Sequence, residues 1–181
     1  MTAPVTTAAH SWKLDPSHSS VEFSAKHMMF TTVKGRFGEV DGKIDVNADT
    51  PESATVSVTM KAASIDTRTE QRDAHLRSAD FLDVATYPDV IFKSTKISGA
   101  RDRFTITGEL TIRDTTRPVT LDATYEGTGI DPWGGERLGF SADTKIDRRD
   151  FGLTWNQVLE AGGLLVSNDI KIHIDAQLVR A

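Results

Sequence analysis

The sequence predicts an all-β protein of about eight antiparallel strands with one short helix set among them. Three observations carry this. Segment after segment alternates apolar and polar residues with a period of two, which gives each segment one apolar and one polar face, the pattern of an antiparallel sheet wetted on one side. Only one stretch, about residues 69–79, has the residues of a helix of any length, so the helices that a parallel α/β fold needs between its strands are missing. The chain has 181 residues, 38% hydrophobic and 26% charged, a globular composition that suits one domain. Eight such strands either close into an up-and-down barrel or stack as a sandwich. Closure removes exposed edges, and an eight-stranded barrel is wide enough for one small ligand, so the barrel is favoured.

In chain order, residues 1–10 read as a flexible tail and 11–181 as the folded domain. Val21, Phe23, Ala25 and His27 share one face of the first strand, against Glu22, Ser24 and Lys26. A second strand runs from about Lys34 to Val46. Its apolar phase is odd at Phe37 but even at Val40, Ile44 and Val46, so a bulge or sharp bend is predicted at Gly38. Asn47 to Ser53, with Pro51, reads as a turn. Ala54, Val56, Val58 and Met60 then alternate with polar residues. Beyond the helix come Val90, Phe92 and Ser94; a turn at Ser98-Gly99 and Arg101–Arg103; Phe104 to Ile112; Val119 to Tyr125; and Leu138 to Ile146. Residues 156–160 are expected to form one helical turn, with Asn156 as cap and Gly162 as stop. The last strand is the most regular, with Ile170, Ile172, Ile174, Ala176 and Leu178 on one face.

The alternation stops over Arg72–Pro88, RDAHLRSADFLDVATYP. The first part reads as a helix, with Asp73 placed to support Arg77 four residues on, on an exposed face. The second ends at Tyr87-Pro88, where the residue before proline is pushed toward extended geometry. A short helix and loop inside a protein of strands is expected to cover one end of the barrel, at about 69–88.

Composition excludes several functions. A net charge of −5 argues against a nucleic-acid partner. With no cysteine there is no disulfide or thiolate chemistry. The N-terminus lacks the basic and apolar regions of a signal peptide, and no apolar run approaches the roughly 18 residues of a membrane span; a cytoplasmic protein is expected. Signatures for serine hydrolases, zinc proteases, phosphate loops and dinucleotide folds are absent. None of His10, His18, His27, His75 and His173 stands three or four residues from another, so hydrogen-bonded or exposed histidines are expected and no metal site. Asp147-Arg148-Arg149-Asp150 packs four charges into four residues. It reads as an anchor for a ligand's polar head, as a salt-bridge clasp to another loop, or as a solvated turn. The apolar faces carry Phe23, Phe37, Phe92, Phe104 and Phe140, which suit a packed core. The small residues beside them (Ala25, Ala54, Gly108, Ala123, Ala142, Ala176) leave room for a cavity.

Seven stretches together resemble one family. They are WKLDPSHSSVEFSAKHMM at Trp12–Met29, VKGRFGEVDGKI at Val33–Ile44, SIDT at Ser64–Thr67, the Arg72–Pro88 stretch, GELTIRDTTRPVTL at Gly108–Leu121, ERLGF at Glu136–Phe140 and IDRRDFGLTWN at Ile146–Asn156. In this order they resemble the YceI-like family of lipid- or polyisoprenoid-binding proteins, from Trp12 to about Leu178. The resemblance implies a lipocalin-like eight-stranded antiparallel barrel and a long apolar pocket for a polyisoprenoid or an isoprenoid quinone. It also implies a homodimer, and for many members export to the periplasm, for which this chain shows no signal.

The expected function is therefore non-enzymatic binding or carriage of a long-chain isoprenoid lipid, with no cofactor. The expected ligand wall is Phe23, Ala25, Phe37, Val40, Val58, Met60, Leu76, Phe81, Phe92, Phe104, Ile106, Phe140 and Ile172, with Arg72, His75 and Arg77 at a polar mouth. Two alternatives stand beside it. A lipid-directed enzyme needs a general base of perturbed pKa inside the barrel, and no carboxylate falls on an apolar face. A filled barrel serving protein contacts needs a packed interior.

Overall fold

The computed structural model describes residues 10–47 and 50–181. Eleven strands form a single sheet: β1 His10–Leu14, β2 Ser20–His27, β3 Thr31–Phe37, β4 Val40–Asn47, β5 Thr50–Lys61, β6 Ile65–Asp66, β7 Asp89–Ala100, β8 Arg103–Ile112, β9 Thr115–Ile130, β10 Glu136–Asp147 and β11 Asp169–Arg180. Helix α1 is Glu70–Arg77, with short 3-10 turns at Ala62–Ser64 and Arg148–Phe151. The order β1-β4-β5-β7-β8-β9-β10-β11-β2-β3-β6 is closed by an added β1–β11 pairing. The result is a closed antiparallel barrel of eight walls.

Eleven strands make eight walls because three walls are broken along their length, the third being β5 and β6, which pair with β4 and β3 on either side of the 3-10 turn at Ala62–Ser64. β11 pairs with β2 through Lys171–Asp175 and with β1 through Leu178–Arg180, so β1 and β2 are two halves of one wall. The break at 15–19 is stitched to Gln177, whose carbonyl accepts from Asp15 N–H and whose N–H donates to Ser19 Oγ. β3 and β4 likewise form one wall, broken at Gly38–Glu39. There Gly38 N–H donates to Ser64 O and Glu39 N–H to Ser64 Oγ. The bend expected at Gly38 is thus real, but it ends one strand and starts another. The strand pairs with β2 and β6 before it and with β1 and β5 after it. The break switches side-chain parity, so Val33 and Phe37 face the same interior as Val40, Ile44 and Val46.

Other expectations change in detail. The tail expected at 1–10 lies outside the described residues except His10, which opens β1 opposite Val46. Asn47 and Thr50–Ser53 are strand and not turn, with Asn47 paired to Thr50; 48–49 lie outside the described residues. Ser98-Gly99 also belong to a strand, because the β7–β8 hairpin reverses only at 101–102. Residues 156–160 form no helix. The Asn156 side chain instead pairs with the Val166 backbone, donating from Nδ2 to its carbonyl and accepting from its N–H. A reversal through Gly162 and Gly163, both at positive φ, then brings Val158 opposite Leu164.

Two glycines are set by close approach. The ring tip of Phe23 lies where a Cβ of Gly35 would stand, and Phe92 covers Gly108 in the same way. Gly108 was expected to leave room, but the Phe92 ring occupies that space.

Candidate functional site: an apolar cavity with a polar end

α1 and the loop to Pro88 span from β6 to β7 at one end of the barrel. The connections at 28–30, 113–114 and 148–168 close around the same end. Side chains bonded to backbone hold this cap. Thr67 N–H and Oγ1–H both donate to Asp73 Oδ1, at 2.9 and 2.5 Å. Arg72 Nε donates to Thr67 Oγ1 at 2.7 Å, and its Nη2 to Thr67 O and Thr69 Oγ1. Arg77 donates to the carbonyls of Ala63 and Ile65. Asp73 is therefore buried, 4% exposed, and does not form the exposed pair with Arg77 that its spacing suggests.

Inside is a cavity of about 1030 Å³, with lining residues from all eleven strands and from α1. Its size lies at the upper end of ordinary ligand pockets. A packed, filled barrel is excluded by that volume. Twelve-residue strands such as β5 and β11 run about 40 Å, at about 3.3 Å per residue, along walls that tilt across the barrel.

All thirteen apolar residues expected in the wall line this cavity: Phe23, Ala25, Phe37, Val40, Val58, Met60, Leu76, Phe81, Phe92, Phe104, Ile106, Phe140 and Ile172. Arg72 and His75 line it as well. Arg77 does not; its guanidinium is turned to the Ala63 and Ile65 carbonyls and to Glu70, which makes it a strut of the cap.

The polar end centres on His75. Its ring meets Trp155 edge-on at 4.6 Å between centroids and Phe81 at 5.1 Å, and its Nε2 is 2.8 Å from Asp80 Oδ2. Nearby, the Asp147–Asp150 segment divides its two arginines. Arg149 pairs with Asp147, and that hydrogen bond holds the Asp147 carboxyl down at about 2. Arg148 is 3% exposed, lines the cavity and donates to the carbonyls of Ser167, Leu153 and Trp155. The salt-bridge clasp to another loop is not formed: Arg148 ties together its own 148–168 connection, and its acceptors are backbone carbonyls and not carboxylates. Burial lowers the pKa of Arg148.

Several lining residues escape period-two reasoning. Ile97 faces inward on odd parity while Phe92 and Val90 are even, because the β7–β8 register shifts between Ser94 and Lys96. Phe92 followed by Ile97 on opposite phase is the one sequence signal of that shift. Leu153, Trp155, Leu165 and Val166 come from the irregular 148–168 connection, where no period applies.

Among the described residues Asp175 is the one carboxylate along the wall, and its side chain is 61% exposed beside His173. It lacks the burial that an internal general base needs. No group of three or more His, Asp or Glu among the described residues is arranged to hold a metal ion. No helix among them is long and apolar enough to cross a membrane.

Comparison with known proteins agrees with this geometry. The model of the YceI-like domain matches residues 12–178. Protein YceI of Salmonella newport is 41% identical over 148 residues, which cover 81% of this chain and 78% of that protein. A UPF0312 protein of Pseudomonas putida is 40% identical over 148 residues, 80% of this chain and 77% of its own length. Among solved structures, the Campylobacter jejuni YceI protein is 32% identical with a TM-score of 0.74, covering 86% of this chain and 90% of that one. Two more distant structures share the fold. Burkholderia cenocepacia BcnA has a TM-score of 0.79 at 21% identity, covering 91% of this chain and 98% of that one. A polyisoprenoid binding domain from Saccharophagus degradans has 0.67 at 13%, covering 95% and 99%. With the family match running from β1 to β11 and relatives 40% and 41% identical on most of its length, the chain belongs to the YceI-like domain family.

Proposed function

We propose that this protein is a carrier for a long-chain isoprenoid lipid, a polyisoprenoid or an isoprenoid quinone, held along the barrel axis and released chemically unchanged. The observation that carries the reading is the 1030 Å³ cavity whose wall is aliphatic and aromatic from every strand. Burying one methylene contributes about 0.8 kcal/mol, and micromolar affinity needs about 8 kcal/mol. A tail of several isoprene units exceeds that even after the cost of immobilising it, so no cofactor is required. The Saccharophagus domain of the same fold is a polyisoprenoid binder. At 13% identity that likeness supports the container, and the cavity chemistry supports the cargo. In this reading the tail lies against Phe104, Ile106 and Phe140 and the head faces Arg72 and His75. The protein works as a homodimer, as the family resemblance suggests.

Native mass spectrometry of freshly purified protein, followed by solvent extraction, tests the reading. A stoichiometric isoprenoid and a dimer mass are expected. Val58→Trp, which fills the mid-barrel wall, is expected to keep the fold and abolish the bound lipid. Empty protein that also takes up no added isoprenoid quinone overturns the carrier.

A further inference from the structure

Arg148 stands apart from every other cation of this protein. It is 3% exposed, it lines a mostly apolar cavity, and none of the ion pairs among the described residues includes it. Three carbonyls satisfy Nε and Nη1, but Nη2 is buried with no hydrogen-bond partner. A guanidinium keeps its charge even when buried. A buried charge without a counter-charge is costly, and a buried donor left unmade costs the desolvation of that group. Asp147 is hydrogen-bonded to the neighbouring Arg149 and compensates Arg148 only through space. Arg72, the other arginine on the wall, has spent Nε and Nη2 on Thr67 and Thr69.

The position fits a ligand. Arg148 Nη1 donates at 2.8 Å to the carbonyl of Trp155, whose ring packs on His75 within the polar end of the cavity. The only partly compensated charge and the ring cluster thus belong to one corner of the wall. In a low-dielectric wall the field of that charge reaches well into the cavity.

We infer that Arg148 is the specificity-determining residue for the lipid's head, selecting a tail that ends in an electron-rich oxygen acceptor, such as a carboxylate, a phosphate or a quinone carbonyl, over the same tail without one. The inference rests on the carrier reading and adds the head-group class to it. The acceptor oxygen completes the charge compensation that Asp147 gives only in part and is the acceptor that Nη2–H lacks.

The test compares three probes with one tail: geranylgeranoic acid, geranylgeraniol and the headless hydrocarbon. Wild-type protein is expected to bind the acid roughly tenfold to hundredfold more tightly than the hydrocarbon, with the alcohol between. Arg148→Met is expected to bring that ratio near one even where both affinities fall, and Arg148→Lys to restore part of it. A purely structural Arg148 predicts a parallel loss for acid and hydrocarbon, which overturns the inference. Equal binding of all three by wild type also overturns it, whether or not the variants fold. Binding of none overturns the carrier reading itself.

Discussion

Phe92 and Asp73 are among the most buried side chains of this protein, 6% and 4% exposed, yet opposite chemistry keeps them there. Phe92 belongs to the barrel wall. It is inward because its strand alternates, and its ring lies over Gly108 across the β7–β8 pairing. Asp73 belongs to the cap, on a helix whose other residues are mostly polar. It is inward because Thr67 gives it two hydrogen bonds. The wall is an apolar surface with a hole in the middle, and the cap is a set of side chains satisfying stray backbone groups. Removing a methyl from the wall mostly enlarges an existing space. Removing an acceptor from the cap leaves buried donors unmade.

The sharpest break of that contrast is Asp73→Ala. It leaves Thr67 N–H and Oγ1–H without their acceptor, and a loss of about 2–4 kcal/mol is expected. The denaturant midpoint measures it, with hydrogen exchange rising first in α1. Gly108→Ala comes next. A Cβ there stands 2.4 Å from the Phe92 ring and 2.5 Å from the Lys93 carbonyl, and the carbonyl belongs to backbone. A loss of about 1–3 kcal/mol is expected. Gly35→Ala is expected to cost less, since its nearest contacts are side-chain atoms, the Phe23 ring and the Thr67 methyl, and of these the ring can turn aside. Equal effects at the two glycines would show that both aromatic covers are equally rigid. Val58→Ala, in the open part of the wall, is expected to cost only about 1 kcal/mol, because the removed methyls already face the cavity.

The smallest effects belong to the solvent side of the wall. His173 Nδ1 is 2.7 Å from Asp143, and that hydrogen bond raises its pKa above 6.5. Its contribution is whole below pH 6.5 and is lost as pH rises through the raised folded value. Asp147, bonded to Arg149, works in the opposite sense: present above pH 3.8, lost as pH falls toward about 2. Both pairs are largely exposed and screened by salt. A melting-temperature difference of a few degrees at most between pH 6 and pH 9, absent in His173→Gln and shrinking in high salt, is expected for the first.

The same contrast explains what the sequence made legible. Parity located the wall: Phe23, Val58, Phe104 and Ile172 are inward as their periods require. Even the switch at Gly38 was visible, because Phe37 and Val40 stand on opposite phases. Parity fails where a bulge intervenes, as at Ile97, and it has no purchase on the cap. Asp73 and Arg77 have the spacing of an exposed helical pair, but each finds backbone or hydroxyl partners that no spacing rule reveals. Arg148 and Arg149 are adjacent and identical in type. One is sealed in the wall and the other lies in solvent, a difference set by the 3-10 turn at Arg148–Phe151 and by the carbonyls of a loop that ends twenty residues later.

β11 touches three neighbours: β10 along its whole length, β2 on one half and β1 on the other. A nascent chain that has made everything up to β10 therefore holds an open, curved sheet with two raw edges, and nothing local can seal it. Closure waits for residues 169–180 and joins positions 147 to 168 residues apart. Such remote pairings are slow to form. The protein is expected to close after, and not during, the synthesis of its barrel, and to depend in that interval on staying out of reach of other sheet edges.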